Sequence, residues 1–437
     1  MKIYDSVFQK LSKYKSLPIK EISSWVTQGP NPTFIESGYP CLTGRNINSG
    51  RVDYNNADYV SKDELENYKN YKIQFGDILI TLKGQGSIGK IGFVFDTRDA
   101  IFSRNIGIIR SKNINPSYLH IFLISKYGKL LVDRGETGGT GQRTLTTTHL
   151  KENILVPRLS IESTIAELHI KSEGLYAKSK EVYFKCEEKL LTELGLKFWQ
   201  PIEDNIAIKK FSNSFAIIGR LDAEYYQPKY DELFEELEKT KNNKLGNLAK
   251  INKSIEPGSQ AYQDEGIPFV RVSDVSKFGL SQPEIFLDNN EYDIPGLKPK
   301  KDTILLSKDG SVGIAYKVEE DLNIITSGAL LHLRINSKEL LPDYLTLVLN
   351  SKVTQMQAER DAGGSIIQHW RPDQIHNVVI PIIPMEQQKE LVKDIQKSFQ
   401  LREQSNQLII VARTAVEIAI EKDEKTALKY IEDSIQS

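Results

Sequence analysis

Four stretches of this 437-residue chain carry side chains suited to gripping a ligand. Gly84-Gln-Gly86-Ser-Ile-Gly89 matches GxGxxG, the spacing of a dinucleotide-binding turn. Such a turn needs a helix opening directly behind it, so that the helix N-terminus faces the pyrophosphate. Here Lys90–Phe95 reads as a strand, and the counterpart Lys308-Asp-Gly310-Ser-Val-Gly313 lacks the first glycine. The pattern therefore predicts a tight glycine turn between two strands, with Lys83, Gln85 and Ser87, or Lys308, Asp309 and Ser311, at its tip. The other two stretches are polar loops: Thr140–Thr148, with Gln142 and Arg143, and Gly364–Arg371, with Gln368, His369, Trp370 and Arg371. Gln and Arg pair bidentately with the edges of adenine and guanine, so these loops suit base readout. The expected DNA-contacting set is Lys83, Gln85, Ser87, Arg104, Thr140, Gln142, Arg143 and Thr146 in the first half. In the second half it is Arg271, Lys308, Ser311, Ser365, Gln368, His369, Trp370 and Arg371.

Little else in the chain suggests chemistry. There is no GxxxxGK[ST], no HExxH and no Asn/Asp-Pro-Pro-aromatic tetrad of the kind amino-methyltransferases carry. The six histidines have no ligand spacing with cysteines, and Asp222-Ala-Glu224 lacks the following lysine of a nuclease triad. Cys41 and Cys186 are isolated thiols, which points to neither a disulfide framework nor a zinc site and suits a reduced cytoplasm. No catalytic residue and no metal ligand is expected.

The elements that must position the four stretches come in duplicate. Ile154–Ile170 (ILVPRLSIESTIAELHI) and Val378–Ile395 (VVIPIIPMEQQKELVKDI) each run from a β-branched segment through a proline into a long amphipathic helix. Pro157 and Pro381 are 224 residues apart, as are Glu162 and Glu386, and Gly86 and Gly310. Gly138-Gly139-Thr140 and Gly363-Gly364-Ser365 follow at an offset of 225. One offset shared by separated motifs marks an internal duplication. Phe75–Leu82, Ile91–Phe95 and Asn105–Arg110 have strand length and apolarity, and Pro116–Val132 has helical spacing.

The expected architecture is α+β. Two β-rich recognition domains with helices, 1–158 and 244–384, are separated by spacer helices 159–195 and 385–422, with a bridge at 196–243 holding an acidic helix after Pro228. A charged tail at 423–437 is expected to fray. Apolar residues recur every seven at Ile161, Leu168, Leu175 and Val182, and in the same register at Met385, Val392, Phe399 and then Asn406. That predicts a seam through which the two helices pair as an antiparallel coiled coil, giving a pseudo-two-fold arrangement.

Composition sets the outer limits. The chain is 39% hydrophobic and 26% charged, the balance of a folded soluble protein. Its N-terminus lacks the apolar run of a signal peptide, and no stretch approaches eighteen uncharged apolar residues, so neither secretion nor a membrane is expected. The net charge of −1 is unevenly spread: residues 1–160 hold 22 Lys+Arg against 14 Asp+Glu, residues 244–385 hold 15 against 18. Only the first half has the charge of a phosphate-binding surface.

With these motifs assembled, the chain resembles the specificity subunits of type I restriction-modification systems over about residues 15–420. The likeness rests on Phe75-Gly-Asp-Ile-Leu79, the Gly-Ser-x-Gly turns, the Gly-Gly-Thr/Ser…Gln loops, Pro381–Gln387, and Asp222-Ala-Glu-Tyr-Tyr-Gln-Pro228. Two departures are Glu162-Ser163 in place of Glu-Gln and the non-basic second half. The resemblance implies a non-catalytic reader of a split double-stranded DNA site, with two target recognition domains held apart by paired helices. It further implies two modification subunits as partners, which hold S-adenosylmethionine and methylate adenine, and restriction subunits that can join them. A stand-alone DNA-modifying enzyme and a protein-binding scaffold are the competing readings from the residues.

Overall fold

A computed structural model describes residues 2–84, 86–138, 143–202, 204, 206–363 and 368–436. The chain divides into two compact units, 1–177 with 401–437, and 178–400. Each unit contains one β-rich lobe and one half of each long helix, Glu162–Glu193 and Met385–Glu421.

The lobes are two copies of one topology. In the first, strands Ser23–Gln28, Ile106–Ser111, Ile78–Thr81 and Ile91–Phe93 lie side by side in that order. In the second the same order is kept by Ala249–Lys253, Leu330–Ile335, Ile304–Ser307 and Ala315–Lys317. The third strand of each sheet, ILIT or ILLS, is fully buried, which is why both read as unbroken apolar runs rather than as an alternation. A second, three-stranded sheet accompanies each. Tyr39–Leu42 lies antiparallel to Asp58–Val60 and parallel to Ile101–Phe102. Ile267–Val270 pairs in the same senses with Phe286–Leu287 and Ile325–Thr326.

The strand–proline–helix junction is also duplicated. Leu155–Pro157 pairs with Ser16–Pro18, and Val379–Pro381 with Asn242–Lys244. Behind each junction a buried tyrosine locks the proline carbonyl. Tyr118 Oη donates to Pro157 O at 2.6 Å, and Tyr344 Oη donates to Pro381 O at 2.8 Å. The predicted helix over 116–132 is two helices, Pro116–Ile124 and Lys126–Asp133, because Ser125 leaves the helical conformation and caps the second through Gly128 N.

The long helices pack antiparallel within each unit, but not through the expected residues. In the first unit Ser172 Oγ donates to Ser405 O at 2.8 Å, while Ser160 N, ahead of the first helix, donates to Glu424 beyond the end of the second at 2.6 Å. In the second unit Ser398 Oγ donates to Ser179 O at 2.7 Å and Cys186 Sγ approaches Leu391 O at 3.5 Å. Ile165 and Ser172 on one helix, with Ser405, Ala412 and Ala419 on the other, are buried at seven-residue spacing in the first unit. In the second unit the same ladder runs through Ser179, Cys186, Leu391 and Ser398. The predicted seam is displaced from it: Ile161 and Leu168 are buried, Leu175, Val182, Met385, Val392 and Phe399 only half so, and Asn406 is exposed. The physical reason is that small side chains let the backbones approach, and the Ser172 and Ser398 hydroxyls each meet a carbonyl of the facing helix, so their burial is compensated.

The expected fraying tail is instead a helix, Glu424–Gln436. Ala427 and Ile431 enter the first unit's core beside Val7, Leu11 and the segment Val411–Ile420, because the apolar residues of this charged segment lie on one face. The bridge contains the acidic helix Pro228–Glu238 as expected. Asp222 is a structural anchor there. It holds Arg220 at 2.8 Å, Arg220 Nη1 donates to Asp361 O at 2.8 Å, and the guanidinium lies 4.5 Å from the Tyr225 ring.

Candidate nucleic-acid interface

Each glycine turn closes between antiparallel strands. Gly89 N returns to Thr81 O at 2.9 Å in the first lobe, and Gly313 N to Ser307 O at 2.9 Å in the second. Gly86 and Gly89 sit at φ 69° and 72°, Gly310 and Gly313 at 73° and 84°, a left-handed backbone that glycine adopts without strain. The second turn is two residues shorter. Strands Ile78–Thr81 and Ile304–Ser307 correspond at an offset of 226, whereas Gly89 and Gly313 correspond at 224.

Each turn is joined to the polar loop that follows it. Lys83 bridges Thr144, and Leu145 N donates to Leu82 O at 2.9 Å. In the second lobe Asp309 bridges His369, Trp370 N donates to Lys308 O at 2.7 Å, and Gly310 N donates to Gln368 O at 2.9 Å. Turn and loop thus form one ledge in each lobe. Lys83, Arg104 and Arg143 are exposed in the first, with Arg143 within 3.4 Å of Glu136, and Ser87 is half-buried. Gln28 Nε2 steadies the Arg104 loop by donating to Arg104 O at 2.5 Å. Thr146 Oγ1 receives His149 N at 3.2 Å and caps the helix Thr147–Asn153, so that oxygen is already engaged. Gln85, Thr140, Gln142 and Ser365 lie outside the described residues.

In the second lobe Ser311, Gln368, His369 and Arg371 are exposed, while two expected contacts have other roles. Trp370 is 1% exposed and belongs to the lobe's hydrophobic core, so it is not a base-stacking residue. It occupies the place of buried Leu145, because the bridge before it fixes which way the next residue points. Lys308 takes the place of buried Leu82, its side chain is only 12% exposed, and it pairs with Asp309. Arg271 is half-buried beside Asp274, with Nε 3.7 Å from the carboxylate, and its amide donates to the same group at 2.8 Å.

The second lobe, with its acidic excess, also ties up many of its cations in ion pairs. Asp309 holds Lys308 and, at 2.9 Å, His369 Nδ1; Asp373 lies 3.3 Å from Arg371; Lys317 is enclosed by Asp343 and Glu319 at 3.0 Å each. The first ledge leaves Lys83, Arg104 and Arg143 exposed to solvent.

Arg51, which sequence reasoning did not single out, is buried where the first lobe meets the long helices. Its Nε donates to Glu173 Oε1 at 2.8 Å, and Nη2 reaches Ser172 Oγ at 3.2 Å and Ser405 Oγ at 2.8 Å. The guanidinium also lies 4.1 Å from the Tyr176 ring. Burial pushes the Glu173 carboxyl upward, and the Arg51 charge opposes that shift. Beside them His120 Nδ1 and His169 Nε2 are 3.1 Å apart, and desolvation holds both rings well below the usual histidine range, His169 at about 3. The only sequence signal for Arg51 is its place directly after the turn residues Ser49 and Gly50; its partners lie more than a hundred residues away.

Among the described residues no group of three or more His, Cys, Asp or Glu could hold a metal ion. Burial pushes both cysteine thiols up to about 12, which suppresses the nucleophilic thiolate. Among the described residues no helix is long and apolar enough to cross a membrane.

The structure thus holds a duplicated lobe, each copy presenting a glycine turn zipped to a donor-bearing loop. The particular family follows from comparison: residues 35–168 and 237–410, well over half of the chain, match the type I restriction modification DNA specificity domain, and the chain belongs to that family. The putative type I restriction enzyme MjaX specificity subunit of Methanocaldococcus jannaschii is 24% identical over 376 residues, covering 82% of this chain and 79% of that protein. The MjaVIII specificity subunit of the same organism is 27% identical over 169 residues, 37% of this chain and 40% of that protein. The Escherichia coli EcoBI specificity subunit is 31% identical over 150 residues, 34% of this chain and 31% of that protein. The matched segments thus span less than half of the latter two relatives. A crystal structure of a type I restriction-modification S subunit from M. genitalium aligns over 96% of this chain and 94% of its own, at 13% identity and a TM-score of 0.35.

Proposed function

We propose that this chain is the non-catalytic DNA-reading subunit of a type I restriction-modification complex. Each lobe reads one half of a bipartite double-stranded target. Two modification subunits, which hold S-adenosylmethionine, methylate an adenine in each half, restriction subunits can join the same assembly, and the complex works in the cytoplasm. The observation that carries this reading is the duplicated ledge of glycine turn and polar loop in a chain of the DNA specificity family. Lys83, Arg104 and Arg143 suit phosphate and base contact in one half-site, and Gln368, His369 and Arg371 in the other; Gln142 is expected to join the first group.

Docking of partner subunits is supported by an exposed apolar stretch in the bridge. Ile206, Ile208, Ile217 and Leu221 are 73%, 95%, 75% and 78% exposed. Large apolar side chains exposed to this degree in one segment suit a protein-interaction site. The long helices are proposed to set the distance between half-sites, since a seven-residue insertion in both keeps their seam in phase and adds about 10 Å of helix.

The test is methylation mapping in cells that produce the chain with its modification subunit. Gln142→Ala should relax one base position in one half-site, and Arg371→Ala one position in the other, each at about 1–3 kcal/mol of discrimination. Equal weakening on all sequences would assign these residues to phosphate contact alone. Adenine methylation by the purified chain without a partner would overturn the non-catalytic reading.

A further inference from the structure

Within the first unit, one hairpin ties the lobe to both long helices. Its strands, Ile47–Asn48 and Arg51–Val52, are joined by Ser49 and Gly50, both at positive φ (50° and 79°), the tight turn that suits strand twist. Arg51 extends the central sheet by pairing with Phe93, and its guanidinium lies against the long helices. There it meets Glu173 and Ser172 of the first helix and Ser405 of the second, where Ser172 Oγ and Ser405 Oγ are themselves 3.0 Å apart. One planar cation therefore bonds three side chains from two helices, with a fixed direction for each bond. The equivalent hairpin of the second unit, Val275–Ser276 with Gly279–Leu280, makes a looser joint. Lys277 Nζ reaches Glu187 at 2.9 Å and lies 4.5 Å from the Tyr183 ring, which packs on Phe278 at 4.9 Å. A point-charge ammonium and an aromatic contact constrain angle far less than a guanidinium fork.

We propose that Arg51 is a positioning residue that fixes the angle of the first lobe on its helix pair, and so decides which gap between DNA half-sites is accepted without choosing any base. This rests on the bipartite-reader proposal. Buried ion pairs contribute little net stability compared with apolar residues of similar volume, but their bonds specify geometry. Arg51→Met with Glu173→Leu therefore keeps a packed joint while removing its direction.

The experiment is methylation mapping of the complex assembled with the double variant, with Arg51→Lys, and with the unaltered chain, alongside their melting temperatures. The double variant is expected to melt close to the unaltered complex and to read the same half-site bases. Its methylation of targets whose gap is one base pair longer or shorter should rise at least tenfold relative to the normal gap. Arg51→Lys, which preserves the charge and most of the volume, should fall between the two and carries the comparison should the double variant not fold. A variant that folds and keeps the unaltered gap ratio overturns the proposal, as does one that relaxes bases in the first half-site at an unchanged gap. Absence of any bipartite target for the unaltered complex would instead refute the DNA-reading proposal, and Arg51 would lose its role with it.

Discussion

Replacing Tyr344 by Phe removes a single hydroxyl from the junction where lobe, strand and long helix meet. The ring is fully buried and stays in place, so no cavity opens; what is lost is the 2.8 Å bond to Pro381 O. A buried neutral hydrogen bond contributes about 1 kcal/mol net, and a buried acceptor left without its donor costs about 1–3 kcal/mol. The expected loss is thus about 1–3 kcal/mol, well below the ~3–5 kcal/mol that truncating a buried aromatic to Ala costs. Tyr118→Phe should cost the same in the first unit, since its hydroxyl makes the equivalent bond at 2.6 Å. Urea unfolding followed by tryptophan emission separates the two, because Trp25 lies in the first unit and Trp199 and Trp370 in the second. Tyr344→Phe should move the Trp199/Trp370 transition, and Tyr118→Phe the Trp25 transition, with the DNA target unchanged. Shifts below about 0.5 kcal/mol in both variants, within the scatter of neutral surface changes, would refute the claim that these tyrosines lock the junction.

Trp370→Ala should destabilise the second unit by about 3–5 kcal/mol while the variant that remains folded reads the same target; a relaxed half-site at unchanged stability would return Trp370 to the DNA contacts. Ile208→Asp should weaken co-purification with the modification subunit and leave the chain's own melting temperature within a few degrees, and undiminished capture would remove the bridge from the docking surface. His332 is held neutral at about 4 by desolvation, and His169 at about 3. For a histidine depressed below its unfolded value, stability is complete above about pH 6.5 and falls as the pH drops toward the folded pKa, by about 1.4 kcal/mol per pH unit for each ring. His332→Asn should flatten the acid limb of the second unit's melting-temperature profile between about pH 6.5 and 4; an unchanged slope would contradict the desolvation account.

The duplication was legible because the junction prolines and the glycine turns keep nearly constant spacing, and each encodes a backbone requirement that few other residues meet. The helix partners were not, because a search for apolar residues every seven passes over Ser172, Ser179, Ser398 and Ser405. Ser172 and Ser398 can be buried at the helix contact because a carbonyl of the facing helix accepts from each, and that fact belongs to the other helix. Lys308 and Trp370 misled for a related reason. Their residue types suggest an exposed basic turn and a stacking platform. The pairing of Asp309 with His369 instead turns Trp370 into the core, and the shortened turn puts Lys308 where the first lobe has a leucine. Arg104 and Arg371 are exposed, as charged residues usually are.

The first unit is built from two stretches of chain, 1–177 and 401–437, whereas the second is continuous from 178 to 400. Its core needs Val411, Ala412, Ala415, Val416, Ala427 and Ile431 as much as it needs Val7 and Leu11. On the ribosome the order of completion is therefore the reverse of the order of synthesis. At about 5–20 residues per second, a nascent chain that has reached residue 177 waits on the order of 13–50 s for Ile431. Throughout that interval the first lobe has an open apolar flank, exposed to chaperones and proteases, and the second unit, complete at residue 400, can close before it. Truncation of the chain before Val411 should accordingly cripple the first unit, although its lobe lies within residues 1–177.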